Sequence, residues 1–131
     1  MLFKKYLNKN DRTLRRKQMI AQIKDTLLNT GLEPSGLAWE VTERRLELDN
    51  KECLHEVLFS ACIGEVDVVI VLNVFNDYRF IHVSLGRHFT TKYLRFNLSE
   101  KDTFESVLAS KLDFIKQEIN ELESRESVLS K

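Results

Sequence analysis

The side chains best suited to chemistry in this sequence belong to two cysteines and two histidines. Cys53 and His55 are separated by one residue, Cys62 follows Cys53 by nine positions, and His82 lies farther along the chain. Zinc sites use clustered Cys and His ligands, usually with spacings such as Cys-x-x-Cys, and this sequence has none. We therefore expect no metal and no cofactor. On one extended strand the two cysteine Cα atoms would be about 30 Å apart, so we expect reduced thiols.

The surroundings of these groups do not favour catalysis. A cysteine nucleophile needs a thiolate stabilised by positive charge, but the pairing of the predicted strands places Cys62 beside Asp67, which would raise the thiol pKa. His88 falls in a predicted turn. The acidic residues of the first predicted hairpin lie on an exposed surface without a pocket: Glu40, Glu43, Glu47, Asp49, Glu52 and Glu56. We predict that the chain is not an enzyme.

Charge is distributed unevenly along a chain that is neutral overall. Residues 1–32 carry eight Lys or Arg and two Asp or Glu, whereas residues 33–67 carry three and nine. The basic start includes Phe3, Tyr6 and Leu7, a mixture that can follow nucleic-acid phosphates or lie on an anionic membrane. The sequence pI near 6.8 opposes general attraction to nucleic acid, so a solvated helix start is favoured.

Length and composition are typical of one globular domain spanning residues 1–131. Apolar residues make up 43% of the chain and charged residues 31%, and one Pro with four Gly argues against disorder. No stretch approaches the length of apolar sequence that spans a membrane, and the first residues lack the apolar segment of a secretion signal. We expect a cytoplasmic protein whose ends, 1–10 and 124–131, are frayed.

The first segment with helical spacing is predicted over residues 11–30. Asn10 or Asp11 can cap its start, and Gly31 can end it. Its apolar stripe is broad and consists of Leu14, Met19, Ile20, Ile23, Leu27 and Leu28.

The second helix is predicted from about Thr103 to Leu122. Asp102 and Glu105 have the spacing of a capping box at its start. Its apolar residues alternate spacings of four and three, which also fits a coiled-coil dimer. The stripe covers fewer than about three heptads, so packing on a sheet is favoured.

Five segments between the helices are predicted as strands. The third, Val66 to Phe75, is nearly continuous in β-branched residues. The separators are short and carry Gly, Asn or Asp, which predicts hairpins and an antiparallel meander. The predicted strands cover 37–48, 52–63, 66–75, 78–85 and 89–98. The predicted fold is therefore α+β, in the order α-β-β-β-β-β-α.

Two-residue turns at Gly64-Glu65 and Asn76-Asp77 would fix how the three inner strands pair. One face is then apolar except at His55, and we predict it as the core. The opposite face mixes apolar and polar groups. Its prominent rings are those of Tyr78, Phe80 and His82, and two-residue turns at the outer hairpins would add Trp39, Val41, Phe89 and Tyr93.

A monomer rarely leaves such an apolar and aromatic face open, so something should cover it. The first helix is favoured as the cover, because its broad stripe needs a surface of its own. The alternative is a second chain, identical or not, with both helices sharing the core face. A three-residue turn at Asp49-Asn50-Lys51 would reverse the first strand and move Trp39 to the core.

These features favour a non-catalytic protein-binding module. The best expectation is an inhibitor or immunity protein of a bacterial-type cytosol that neutralises a toxin, such as a basic nuclease, because acidic charge speeds encounter and aromatic groups anchor the complex. The predicted partner-binding residues are Trp39, Glu40, Glu43, Glu47, Asp49, Glu52, Glu56, Tyr78, Phe80 and His82. The alternatives are a secretion-effector chaperone, a structural homodimer, and a nucleic-acid- or membrane-surface-binding protein that uses the basic start.

Overall fold

The computed structural model describes residues 2–35, 38–47, 53–76 and 78–129. The five strands form one antiparallel sheet in the order β1-β2-β3-β4-β5. The predicted α+β meander between two helices is thereby confirmed. The elements are α1 (Leu2–Asn29), β1 (Glu40–Glu47), β2 (Cys53–Ile63), β3 (Val66–Phe75), β4 (Tyr78–Arg87), β5 (Thr90–Asn97) and α2 (Phe104–Leu129).

The three inner strands pair in the predicted register. Leu54 of β2 lies opposite Phe75 of β3, and the pairing of β3 with β4 also follows the two-residue turn. Gly64 and Asn76 have φ angles of 61° and 53° in these turns, a left-handed conformation that Gly and Asn adopt with little strain. The predicted core face is buried through Val57, Phe59, Val66, Val68, Ile70, Leu72, Ile81, Val83 and Leu85.

The placement of Trp39 and Val41 on the mixed face is wrong, since Val41 lies opposite the buried Phe59. Glu40 lies opposite Ser60, so Trp39 is on the core side of the sheet, where it is 4% exposed. Its indole Nε1 donates a 3.0 Å hydrogen bond to the carbonyl of Leu32. This pairing is the one that a loop with an odd number of residues produces, as in the three-residue turn that was the alternative. The loop itself, residues 48–52, lies outside the described part of the chain.

The last hairpin turns later than its Gly-Arg separator predicts. Strand β4 continues to Arg87, and the turn consists of His88 and Phe89, with His88 at a φ of 55°. Tyr93 lies opposite Ser84 and so takes its predicted place on the mixed face. Phe89 does not join that face, because it stands fully exposed at the tip of the hairpin.

Both helices lie side by side on the apolar face. Helix α1 buries Ile23 and Leu27 completely, and its Arg16 forms a 3.0 Å ion pair with Glu43 on the core side of β1. Helix α2 covers the other half of the sheet. Its buried residues are Phe104, Leu108, Leu112, Ile115, Ile119 and Leu122. The expectation that the first helix covers the mixed face is therefore wrong, and no described element packs there.

Helix α1 begins at Leu2, well before the predicted start at residue 11. It ends as predicted at Gly31, which has a φ of 87°. The N–H groups of Leu32 and Gly31 donate to the carbonyls of Leu27 and Leu28, at 3.0 and 3.2 Å, which is a Schellman arrangement.

Helix α2 is capped one residue later than predicted. The N–H of Ser106 donates to Oγ1 of Thr103 at 3.1 Å, and the N–H of Thr103 donates to Oγ of Ser106 at 3.2 Å. Asp102 instead accepts hydrogen bonds from Ser99. The helix continues to Leu129, beyond the predicted end, and fraying at both chain ends stays a prediction.

Candidate protein-binding surface

The side of the sheet opposite the helices, which we name the open face, consists of alternate residues of all five strands. Cross-strand pairing arranges them in rows that cross the sheet. The open face comprises Glu40, Thr42, Arg44 and Leu46 of β1; Leu54, Glu56, Leu58, Ser60 and Cys62 of β2; Asp67, Val69, Val71, Asn73 and Phe75 of β3; Tyr78, Phe80, His82 and Ser84 of β4; and Thr91, Tyr93, Arg95 and Asn97 of β5.

The centre of the open face is apolar. Leu58 of β2 lies opposite Val71 of β3, and both are only half-buried although they belong to inner strands. Val69 and Phe75 continue this strip along β3 and are half-buried as well. Residues of central strands reach full burial only when a second layer covers them, so the strip has the composition of a surface that takes a partner.

Aromatic groups line the β4–β5 side of this strip. The rings of His82 and Tyr93 stack with centroids 5.6 Å apart, and the Arg95 guanidinium lies 4.1 Å from the Phe80 ring centroid. Such contacts hold flat side chains in defined orientations. Tyr78 and Tyr93 remain 72% and 66% exposed, so both offer ring surface and hydroxyl groups to a partner.

Polar groups in the middle of the open face are already paired. Glu56 is 9% exposed and accepts a 2.9 Å hydrogen bond from Nη2 of Arg44 on the neighbouring strand. Asn73, beside Glu56 in the same row, is 6% exposed and donates to the carbonyl of Val71 at 3.2 Å. This row restrains the face without adding net charge to it.

An acidic hollow of about 430 Å³ opens at one end of the open face, between the segment before β1 and the ends of β2 and β3. The carboxylates of Glu40 and Asp67 are among its lining groups, and both residues are exposed. Ala38 and Val69 contribute apolar wall. Two carboxylates beside apolar groups suit the ammonium or guanidinium group of an incoming Lys or Arg, whose methylene stem packs on the apolar wall.

Cys62 also lines this hollow, and its surroundings disfavour the thiolate. Desolvation by the surrounding protein raises the pKa of the Cys62 thiol, and the Asp67 carboxylate and then Glu65 raise it further. The predicted neighbourhood of Cys62 and Asp67 is confirmed by their cross-strand pairing. Cys62 is a free thiol, whereas the side chain of Cys53 is outside the described part of the structure. A nucleophilic role for Cys62 is not supported.

The structure divides the predicted partner-binding residues between the two sides of the sheet. Those on the open face are Glu40, Glu56, Tyr78, Phe80 and His82. Trp39, Glu43 and Glu47 lie on the core side, so the prediction that they share one surface with the aromatic groups is wrong. Asp49 and Glu52 lie outside the described residues.

Sequence reasoning left three groups of this surface out of the predicted site. Arg44 and Arg95 pair or stack on the open face, and Asp67 lines the hollow. Asp67 was detectable, because the two-residue turn alone places it beside Cys62. Arg44 was not, since its face depends on whether the loop before β2 has an odd or an even number of residues.

No protein-family model, no curated protein and no solved structure matches this chain. Within the described residues, neither helix combines the length and apolarity needed to cross a membrane. In the same part of the chain, no three His, Cys, Asp or Glu side chains are grouped as metal ligands would be.

Proposed function

We propose that this chain is a non-catalytic protein-binding module that docks a basic protein partner on its open face. The observation that carries the proposal is the apolar and aromatic strip through Val71 and Tyr93. No described part of the chain covers it, and it ends in the acidic hollow at Glu40 and Asp67. Apolar groups supply the contact area, and the hollow supplies a position for one basic anchor.

The dimensions of the open face suit one protein interface. Five strands about 4.8 Å apart, each about 30 Å long, give the open face an area on the order of 700 Å². Stable complexes bury roughly 800 Å² on each partner. One partner that covers the whole face therefore reaches the size of a typical specific complex.

Charge selects the kind of partner. Arg44 is paired with Glu56, and the charged Arg95 stacks on Phe80 on the β5 side, so the negative charge of the open face is concentrated at the hollow, in Glu40 and Asp67. A basic group of the partner gains from these two carboxylates during encounter and in the complex, whereas an acidic group placed at the hollow is repelled. The partner surface that fits is apolar at its centre and carries a Lys or Arg at one edge.

The finer form of the proposal is an inhibitor or immunity protein that neutralises a basic toxin, such as a nuclease, in a reducing cytosol. Such an inhibitor acts through a complementary surface, and the oriented rings and paired polar groups of the open face support that role. The secretion-effector chaperone is the competing form. It is distinguished by its partner, which would bind as an unfolded segment and carry no toxic activity that the chain suppresses.

The test compares two double variants that change charge equally on opposite sides of the same sheet. Glu40→Lys with Asp67→Lys reverses the acidic hollow, and Glu47→Lys with Glu121→Lys reverses two exposed carboxylates on the helix side. A partner captured from the source cells with the unmodified chain is identified, purified and titrated calorimetrically. We expect the first pair to weaken binding about tenfold or more, which is roughly 1.4 kcal/mol, and the second pair to leave it nearly unchanged.

Three results would contradict the proposal. Equal weakening by both pairs would show that overall charge, not the open face, attracts the partner. Loss in the second pair alone would move the interface to the helix side. Concentration-dependent light scattering that shows a dimer, abolished by Val71→Lys, would make a second copy the occupant of the face. The inhibitor form further requires that one equivalent of the chain suppress the partner's toxic activity, and a partner without such activity contradicts that form alone.

A further inference from the structure

A second cavity, of about 570 Å³, lies on the other side of the sheet from the open face, between α1, the start of α2 and the helix-side surface of β2, β3 and β4. We name it the basic cavity. Its floor is formed by Val57, Leu72 and Val74, and Phe104 of α2 forms part of its wall. Its volume lies in the range of small-molecule sites, and its apolar floor with few polar groups is typical of them.

Helix α1 leaves apolar surface unused beside this cavity. Its stripe is fully buried at Ile23 and Leu27, but Met19, which lines the cavity, is only half-buried. Val74 on the cavity floor is half-buried as well. Met19 and Val74 therefore offer apolar surface that an inserted hydrocarbon chain would remove from water.

The polar lining of the basic cavity is predominantly cationic. Arg15 and Arg16 enter from α1, Arg79 enters from β4, and Glu105 is the one carboxylate that the described side chains contribute to the lining. The imidazole of His55 also lines the cavity. The lining thus has more positive than negative charge around an apolar floor, an arrangement that favours an anionic head group attached to an apolar chain.

Two of these arginines are positioned by the protein and keep donors for a ligand. Nη2 of Arg79 donates to the carbonyls of Ser99 and Glu100 at 2.7 and 3.3 Å, and Nε of Arg16 pairs with Glu43. A guanidinium carries five N–H donors, so these contacts orient the groups without using all of them. Arginine is also the side chain whose geometry matches a carboxylate or phosphate best.

We propose that the basic cavity binds a single-chain amphipathic anion, with its acyl chain on the floor at Leu72 and Val74 and its carboxylate or phosphate at Arg16 and Arg79. The first turn of α2 adds to the preference for an anion, because Phe104 begins the helix at the cavity wall and the helix dipole is positive at that end. The site is separate from the open face, so it does not depend on the proposed protein-binding function.

The test uses dodecanoate below its micelle concentration as the probe, titrated calorimetrically into the full chain. We expect one site per chain and a rise in the thermal unfolding temperature at saturating probe, because a ligand that binds only the folded state stabilises it. Dodecyltrimethylammonium and dodecanol carry the same chain with a positive or a neutral head. Binding of either as tight as that of dodecanoate would overturn the anionic part of the proposal.

Variants locate the probe. Arg16→Gln and Arg79→Gln should each weaken dodecanoate binding about tenfold, the effect of losing a hydrogen bond to a charged group. Lys17→Gln removes the same charge from an exposed position on α1 that does not line the cavity, and it should bind as the unmodified chain does. Val74→Phe fills the floor and should abolish binding while every arginine remains.

Thermal unfolding of each variant without probe shows that it is folded before its affinity is interpreted. Weakening by Lys17→Gln as large as that by Arg16→Gln would show diffuse charge attraction and overturn the site. Full binding by Val74→Phe would place the chain elsewhere and overturn it as well. Cosedimentation with vesicles of anionic lipid, combined with no binding of monomeric dodecanoate, would assign the arginines to a membrane surface and contradict a cavity ligand.

Discussion

Asp102 controls the turn that leads into α2 through one carboxylate oxygen. Its Oδ2 accepts the N–H of Ser99 at 2.8 Å and the hydroxyl of Ser99 at 2.9 Å. The backbone hydrogen bond, then the hydroxyl and the charge of Arg79, hold the pKa of Asp102 below its usual value of 3.8, with some opposition from desolvation. The ionised form is therefore the one that closes this turn.

Replacement of Asp102 by Asn makes the pH dependence measurable. The folded-state pKa is lowered, so the ionised group contributes stability above the unfolded-state value of 3.8 and loses that contribution as the pH falls through the folded-state value. We expect the unmodified chain to unfold at a higher temperature than Asp102→Asn at pH 7, and the difference to shrink below about pH 4. Parallel unfolding curves for both proteins from pH 7 to pH 3 would contradict this account.

Trp39 has a structural role at the residue scale. Its indole Nε1 donates to the carbonyl of Leu32 in a site where both residues are buried. Trp39→Phe keeps an aromatic ring but removes the donor, so the Leu32 carbonyl loses its partner away from water. We expect a loss of about 1–3 kcal/mol in unfolding free energy, measured by urea denaturation with circular dichroism. An unchanged urea midpoint would show that the hydrogen bond contributes no stability.

Single residues differ in how far the sequence determines their positions. Cys62 and Asp67 are on either side of a two-residue turn, so local turn chemistry was sufficient to place them together. The face on which Trp39 lies depends on whether the longer loop after β1 has an odd or an even number of residues, so one residue more or less reverses it. The cap of α2 was predicted one position early, because Asp102 and Thr103 are both suitable capping residues and only contacts to Ser99 and Ser106 distinguish them.

Turns set the extent of each element, and Gly31 is the residue that ends α1. Its φ of 87° is one that a residue with a Cβ adopts only with strain. The Cβ of an alanine there would also meet Nζ of Lys116 at 3.1 Å, a flexible side chain that can move. Backbone strain, more than crowding, therefore makes glycine necessary at this point.

Gly31→Ala is expected to lower the unfolding free energy by about 1–2 kcal/mol, the cost of a left-handed conformation for an L-residue. Gly86→Ala is the matched control, because its Cβ would make only ordinary contacts, at 3.9 Å or more, and its φ is not positive. The control should be neutral or slightly stabilising. Similar losses for the two variants in urea denaturation would show that the end of α1 does not depend on a left-handed residue.

The last hairpin shows the limit of turn signals at the element scale. Gly86-Arg87 resembled a turn because Gly is common there, but Gly86 continues β4 opposite Thr91. The turn residues are His88 and Phe89, with His88 in the left-handed region at a φ of 55°. Pairing between β4 and β5 outweighs the preference of a single glycine for a turn. A short sequence window does not contain the contacts between the two strands, so it cannot predict this outcome.

At the scale of the whole molecule, the unpredicted feature is that both helices share one face. The broad stripe of α1 required an apolar surface but did not identify which one. Five strands about 4.8 Å apart make a sheet on the order of 20 Å wide, and two helices packed about 8–10 Å apart fit across it. The strand count therefore allowed both helices on the core face, which leaves the open face for a partner.

This two-layer arrangement predicts that the molecule unfolds as one unit. Both helices contribute to a single core, with Leu27 of α1 and Ile115 of α2 buried against the same sheet face and Trp39 at the β1 end of it.

Trp39 is the sole tryptophan, so its fluorescence reports on the α1 and β1 side, while circular dichroism at 222 nm reports on both helices. We expect the two signals to give one coincident urea transition. Ile115→Ala in α2 removes a buried side chain far along the chain from Trp39. It should lower the unfolding free energy by about 2–5 kcal/mol and shift both transitions to lower urea together. A shift confined to the dichroism signal, with the fluorescence transition unmoved, would mean that α1 with β1 and α2 with the remaining strands unfold separately.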